Sequence, residues 1–144
     1  MRLSRGACRS GALAGGLLLV GACSVLPAGD LRATGTIALQ GGPFLVGEEC
    51  SGNGMTSIVA EGQPIYVEGT DAQGPIATGT IGPGKASSPT LCLLPFAVAS
   101  IPRGFEQYRV TVGNPDVGVL GTIEHLDERT VALPLTVTVA APGS

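Results

Sequence analysis

The chain has 144 residues, of which only 3% are aromatic and 13% charged, and it contains 23 Gly and 11 Pro. That length suits one domain of ~100–200 residues, and the Gly and Pro content leaves little room for long helices beyond the N-terminus. The formal charge of −3 hides an asymmetry: from residue 23 onward five basic side chains face eleven acidic ones, near −6. Arg32, Lys85, Arg103, Arg109 and Arg129 are spread along the chain without forming a phosphate-neutralising patch, which argues against nucleic-acid binding.

The N-terminus reads as an export signal. Arg2, Arg5 and Arg9 make residues 1–10 basic, and residues 11–22 form an uncharged apolar run ending at Cys23. A spanning helix needs ~20 apolar residues, whereas a signal-peptide core needs ~7–15. The run Leu19-Val20-Gly21-Ala22-Cys23 resembles the lipobox of bacterial lipoproteins, with small residues where the peptidase pocket is narrow. The resemblance implies cleavage before Cys23, a diacylglyceryl thioether on its sulfur and further acylation, palmitate being the usual chain. Each buried CH₂ adds ~0.8 kcal/mol of membrane affinity, and two or more chains anchor durably. The expected organisation is a signal peptide over 1–22, a tether over 23–31 and one domain over 32–141.

Period-two alternation then predicts strands. Residues 33–40 put Gly35, Ile37 and Leu39 on one face. Residues 63–69 alternate Ile65 and Val67 against Tyr66 and Glu68. A turn at Thr70–Gly74 leads into 75–81, completing a hairpin. Residues 90–99 align Cys92, Leu94, Phe96 and Val98, with Pro95 pointing to an edge or a bulge. Residues 105–112 align Tyr108, Val110 and Val112 against Gln107, Arg109 and Thr111. Val117–Leu120 pairs briefly, Ile123–Glu128 makes one helical turn, and the last strand aligns Val131, Leu133, Leu135, Val137 and Val139. The expected fold is all-β: an antiparallel, immunoglobulin-like or C2-like sandwich of about seven to eight strands after the signal helix.

Cys8 leaves with the signal and Cys23 takes lipid, so Cys50 and Cys92 remain as an even pair in an exported, oxidising setting, where a disulfide is the default. Two thiols and one distant His do not make a zinc site. His125 is the only histidine; Ser57, Ser87 and Ser88 are the serines a triad would recruit, but no Gly-x-Ser-x-Gly elbow accompanies them. Glu48-Glu49 is a paired-carboxylate candidate, weakened because neighbours on an extended strand face opposite ways. Asp71 with Gln73-Gly74 lacks the ligand run of a calcium loop, and Gly82-Pro-Gly-Lys85 lacks the ending of a phosphate loop. No catalytic residue, cofactor or metal is therefore expected.

Cys50-Ser-Gly-Asn-Gly-Met-Thr-Ser-Ile58, Ile65-Tyr-Val67, Asp71–Gly74, Thr78–Ile81, Leu91–Phe96, Val98–Pro102 and Tyr108–Gly113 occur in that order. The arrangement resembles an uncharacterised extracytoplasmic β-domain of actinobacterial lipoproteins. Ser57 stands where that family usually has Asp, and Leu94 where Phe is common. The resemblance implies a two-cysteine β-domain outside the cell membrane and transfers no activity.

The functional expectation is a membrane-anchored, extracytoplasmic binding or accessory module of the cell envelope, meeting an envelope protein or glycan near Gly52–Thr56 and Gly82–Ser88. The alternatives are a structural envelope protein without a small ligand and, less favoured, a secreted hydrolase using His125.

Overall fold

A computed structural model describes residues 29–141; the expected signal peptide, Cys23 and most of the tether lie outside the described residues. Nine strands follow one another as β1 (Leu31–Gln40), β2 (Glu49–Cys50), β3 (Pro64–Gly69), β4 (Pro75–Ile81), β5 (Gly84–Ser88), β6 (Leu91–Ile101), β7 (Tyr108–Asn114), β8 (Gly118–Leu126) and β9 (Pro134–Ala140). A 3-10 turn at Gly54–Thr56 and one helical turn, α1 (Glu128–Val131), are the only helical pieces among the described residues. The all-β architecture is the expected one. The first strand starts at Leu31, one residue before the expected domain edge, and that residue pairs with Ile101.

Hydrogen bonds join all nine strands into a single sheet that folds over on itself. β6 is its axis. One edge of β6 carries β1 along its whole length, from Gln40 opposite Leu91 to Leu31 opposite Ile101. The other edge carries β5 over Leu91–Leu93 and then β4 at Phe96 and Ala97. From β4 the path continues through β3 and β7 to β8, all antiparallel, while β9 lies parallel to β1. β8 comes round against β9, closing the core without a ladder between them.

Pro95 sits inside β6 rather than at an edge. Its carbonyl accepts from Gly82 N–H at 2.7 Å, at the point where the second partner of β6 changes from β5 to β4. A residue's N and C=O point the same way in a strand, so the missing donor faces the break in the ladder.

The alternating residues meet as one cluster: Leu31, Ala33, Ile37 and Leu39 from β1; Leu94, Phe96 and Val98 from β6; Val110 and Val112 from β7; Val137 and Val139 from β9. The Phe96 ring lies over Gly35, filling the space left by the missing side chain. A bulge at Ser100, φ 55°, resets the phase of β6 so that both Val98 and Ile101 point inward. Tyr108 is buried, and its hydroxyl donates to the Pro102 carbonyl at 3.1 Å. This corner ties the β6–β7 loop to the strand it enters. Thr111, expected on the outward face with Gln107 and Arg109, lies between Tyr66 and Thr122, is 1% exposed, and its Oγ1 has no hydrogen-bond partner among the described residues.

Two expectations fail around α1. Residues 123–126 belong to β8, and the helical turn comes later, at Glu128–Val131. Asp127 caps it, accepting from Thr130 N–H at 2.7 Å and from the Thr130 hydroxyl. The last strand therefore begins at Pro134 instead of Val131. Val131 is fully buried from the helical turn, whereas Leu133 is 53% exposed. Val131 shares the parity of Leu135, Val137 and Val139, so period-two counting could not separate it from them.

Candidate functional site

The strand directions give the domain two ends. β1 runs from one end, where Gly29, Pro102–Tyr108, the β3–β4 turn and α1 gather, to the other, where residues 40–62 and 82–91 gather. The first is called proximal, because the N-terminal segment enters there; the second is distal.

At the proximal end the entering chain is clamped. Arg103 Nε donates to the Gly29 carbonyl at 2.7 Å, and Arg103 Nη1 donates to Glu128 Oε2 at 2.9 Å. The other oxygen of that carboxylate accepts from Gly104 N–H at 2.9 Å. The Gly104 N–H, foremost, and the Arg103 guanidinium hold the Glu128 carboxyl below its ordinary range against the opposing effect of burial. Beside the clamp an open groove of about 340 Å³ is lined by Glu68, Asp71, Gln107, Arg109, Glu124 and His125. Arg109 lies between two carboxylates, 3.9 Å from Glu68 and 3.7 Å from Glu124.

His125 has φ 58° and is 74% exposed at its side chain; its Nδ1 lies 3.1 Å from Gln107 Oε1, and its Nε2 lies 3.8 Å from Glu124. The serines a triad would recruit are elsewhere. Ser88 lies at the distal end of β5, where its hydroxyl is 3.4 Å from that of Thr90, and Ser57 follows the distal 3-10 turn. The structure does not bring His125 and these serines together.

At the distal end Cys50 and Cys92 are joined by a disulfide, with Cα atoms 6.0 Å apart. It ties the two-residue strand β2 to β6, and β5 runs between them. A side chain at Gly84 would place its Cβ 2.2 Å from the Cys50 carbonyl and 3.1 Å from Cys92 Sγ, so only glycine fits there. Before β2, Leu45-Val46-Gly47-Glu48 make a turn closed by Glu48 N–H to Leu45 O at 3.0 Å, with Gly47 at φ 86°. Positive φ at the third position of a turn favours glycine. The turn is pinned to β5 by Gly47 N–H to Ala86 O at 2.9 Å and Ala86 N–H to Glu48 O at 3.0 Å.

An open groove of about 640 Å³ runs beside this turn, lined by Pro43, Phe44, Leu45, Glu48, Glu49, Gly52, Asn53, Glu61, Pro83 and Gly84. It touches both segments singled out from the sequence, 52–56 and 82–88. Glu48 and Glu49 both line it, because Glu48 belongs to the turn and not to the strand; the opposite-face argument fails for that reason.

No family model matches this chain, and neither curated proteins nor solved structures offer a match to it.

Sequence reasoning missed the exposed apolar residues of the turn, Leu45 at 77% and Val46 at 61%. Two aliphatic residues before a glycine read equally well as core, so the sequence carried no signal that they stand outside. It missed the clamp entirely, because Gly29, Arg103 and Glu128 are far apart in the chain. Among the described residues no group of three His, Cys, Asp or Glu side chains could hold a metal ion. No helix among them is long and apolar enough to cross a membrane.

Proposed function

We propose that this chain is a bacterial lipoprotein, acylated on Cys23 and held at the extracytoplasmic face of the cell membrane. There its β-domain serves as a binding or accessory module of the envelope and performs no catalysis. The observation that carries the anchor is the sequence junction itself: basic residues, a short apolar run and Leu19-Val20-Gly21-Ala22-Cys23. The Cys50–Cys92 disulfide supports an exported setting, since such bonds persist in oxidising compartments. The order of motifs between Cys50 and Gly113 adds to the same reading. Both surface grooves are open and polar in part, and the serines lie away from His125, which favours binding over hydrolysis.

The reading as a purely structural envelope protein expects a flat polar surface. Apolar side chains standing in solvent at the distal end favour a binding module instead. Metabolic labelling with an alkynyl fatty acid tests the anchor. Label should enter the wild-type chain and be lost in Cys23→Ala. An unlabelled chain, or a mature N-terminal peptide that starts upstream of residue 23, defeats it.

A further inference from the structure

We infer that the distal end of the domain is a docking surface for a polypeptide segment carrying a lysine or arginine beside an aliphatic side chain. This rests on the reading of the chain as a binding module and does not depend on the lipid.

Seven large hydrophobic residues stand exposed among the described residues, and four of them, Leu45, Val46, Met55 and Ile58, fall within one short stretch. They are held there. The Leu45–Glu48 turn is fixed to β5 by two backbone hydrogen bonds, and the disulfide follows directly at Cys50. Met55, 74% exposed, stands on the 3-10 turn, which Thr56 locks by donating its hydroxyl to Asn53 O at 2.9 Å while accepting from Asn53 N–H at 3.1 Å. Val59, fully buried, secures the end of that loop in the core. Apolar groups held in water on a rigid frame lose little further freedom on binding, the condition for a preorganised contact. Met adds an adaptable one.

The charge in the groove beside Leu45 selects the partner. Glu48, Glu49 and Glu61 line that groove, and none forms an ion pair among the described residues. Lys85 faces Glu49 across the β2–β5 ladder without closing one. Unpaired carboxylates in the groove that Leu45 also lines attract a basic group and repel an anionic lipid surface. They also repel a second copy of this acidic chain at the same end.

The test places a photoreactive benzoyl-phenylalanine at Val46 in the full chain expressed in its own cells. Control cells carry it at Leu133, an exposed residue near the proximal end. After irradiation the joined peptides are sequenced by mass spectrometry. The expected result is one dominant adduct at position 46 whose partner peptide holds a Lys or Arg next to an aliphatic residue. Paired Glu48→Lys and Glu49→Lys changes should lower its yield roughly tenfold. Each variant is first checked for a closed disulfide; the pair Met55→Ser and Glu61→Lys, outside the β2–β5 ladder, gives a second version with the same expected loss. No adduct at 46, equal yield at 133, indifference to both variant pairs, or an adduct to lipid, glycan or another copy of this chain overturns the inference. Fatty-acid labelling of the same cells reads the anchor separately, so an adduct without label defeats only the anchor, and label without an adduct defeats only the docking surface.

Discussion

Cys50 and Cys92 are separated by 42 residues, and joining them removes loop freedom from the unfolded chain. On the chain-entropy model a closed loop of that size contributes about 4 kcal/mol, a large share of the ~5–15 kcal/mol that holds a typical domain together. Cys92 is also fully buried against the core, so its loss is felt in packing too. Cys92→Ala should lower the unfolding free energy in urea by about that amount, and reductant should bring the wild-type protein close to the variant. A wild-type curve unmoved by reductant would remove the disulfide from the account. Glu128 makes a residue-scale prediction of another kind. Its folded carboxyl titrates below its ordinary value of 4.5, so its contribution is fully present above that value and fades as pH falls through the lowered one. Asp127, lowered chiefly by the Thr130 hydroxyl, behaves alike from its ordinary value of 3.8 downward. In thermal melts by circular dichroism, Glu128→Gln should lie below wild type at neutral pH, and the gap should close as the medium is acidified below pH 4.5. A gap that stays constant to the lowest pH would mean that the clamp does not act through the charge.

Among the elements, the segment from Asp127 to Val139 offers the sharpest comparison. If period-two counting described it, Val131 and Leu133 would share one buried face; the structure buries the first and exposes the second. Val131→Ala should therefore cost about 2 kcal/mol, as expected for methyl groups removed from a packed core. Leu133→Ser should fall within about 0.5 kcal/mol of wild type, as surface changes do. Equal losses at both positions would restore the long strand. The same segment shows what was legible in the sequence. β1, β3, β7 and β9 could be read because large apolar residues alternate with mostly polar or small ones, and β6 because Cys92, Leu94, Phe96 and Val98 form an unbroken period-two row. The order of strands could not, since backbone hydrogen bonds carry no side-chain identity. β5, Gly84-Lys-Ala-Ser-Ser88, went unread because it offers the core little beyond Ala86. The distal groove was half legible: its two loops were marked by glycines and prolines, but the turn at Leu45–Glu48 was not. Its apolar side chains look like core residues until the fold leaves them outside.

For the molecule as a whole, the clamp would convert the proposed anchor into an orientation. If acylated Cys23 begins the mature chain, six residues, Cys23 to Ala28, lie between the lipid and the point where Arg103 holds Gly29. Fully extended, they span at most about 20 Å, from ~3.3–3.6 Å per residue. β1 then carries the chain away from the clamp for 10 residues, about 33 Å at ~3.3 Å each. The proximal turn at Asp71 should thus stay near the membrane while Val46 stands well above it. A fluorophore attached at each position in turn, on the lipidated protein in vesicles containing a membrane-surface acceptor dye, separates the two. Transfer should be strong from residue 71 and weak from residue 46. Arg103→Ala, which releases Gly29, should reduce the difference, because a freed start lengthens the tether and lets the body tumble. Equal transfer from both sites in the wild-type protein would mean that the body lies on its side, with the Leu45–Glu48 turn within reach of the lipid. The distal surface would then have the bilayer as a neighbour, and its exposed aliphatic groups would need no protein partner to cover them.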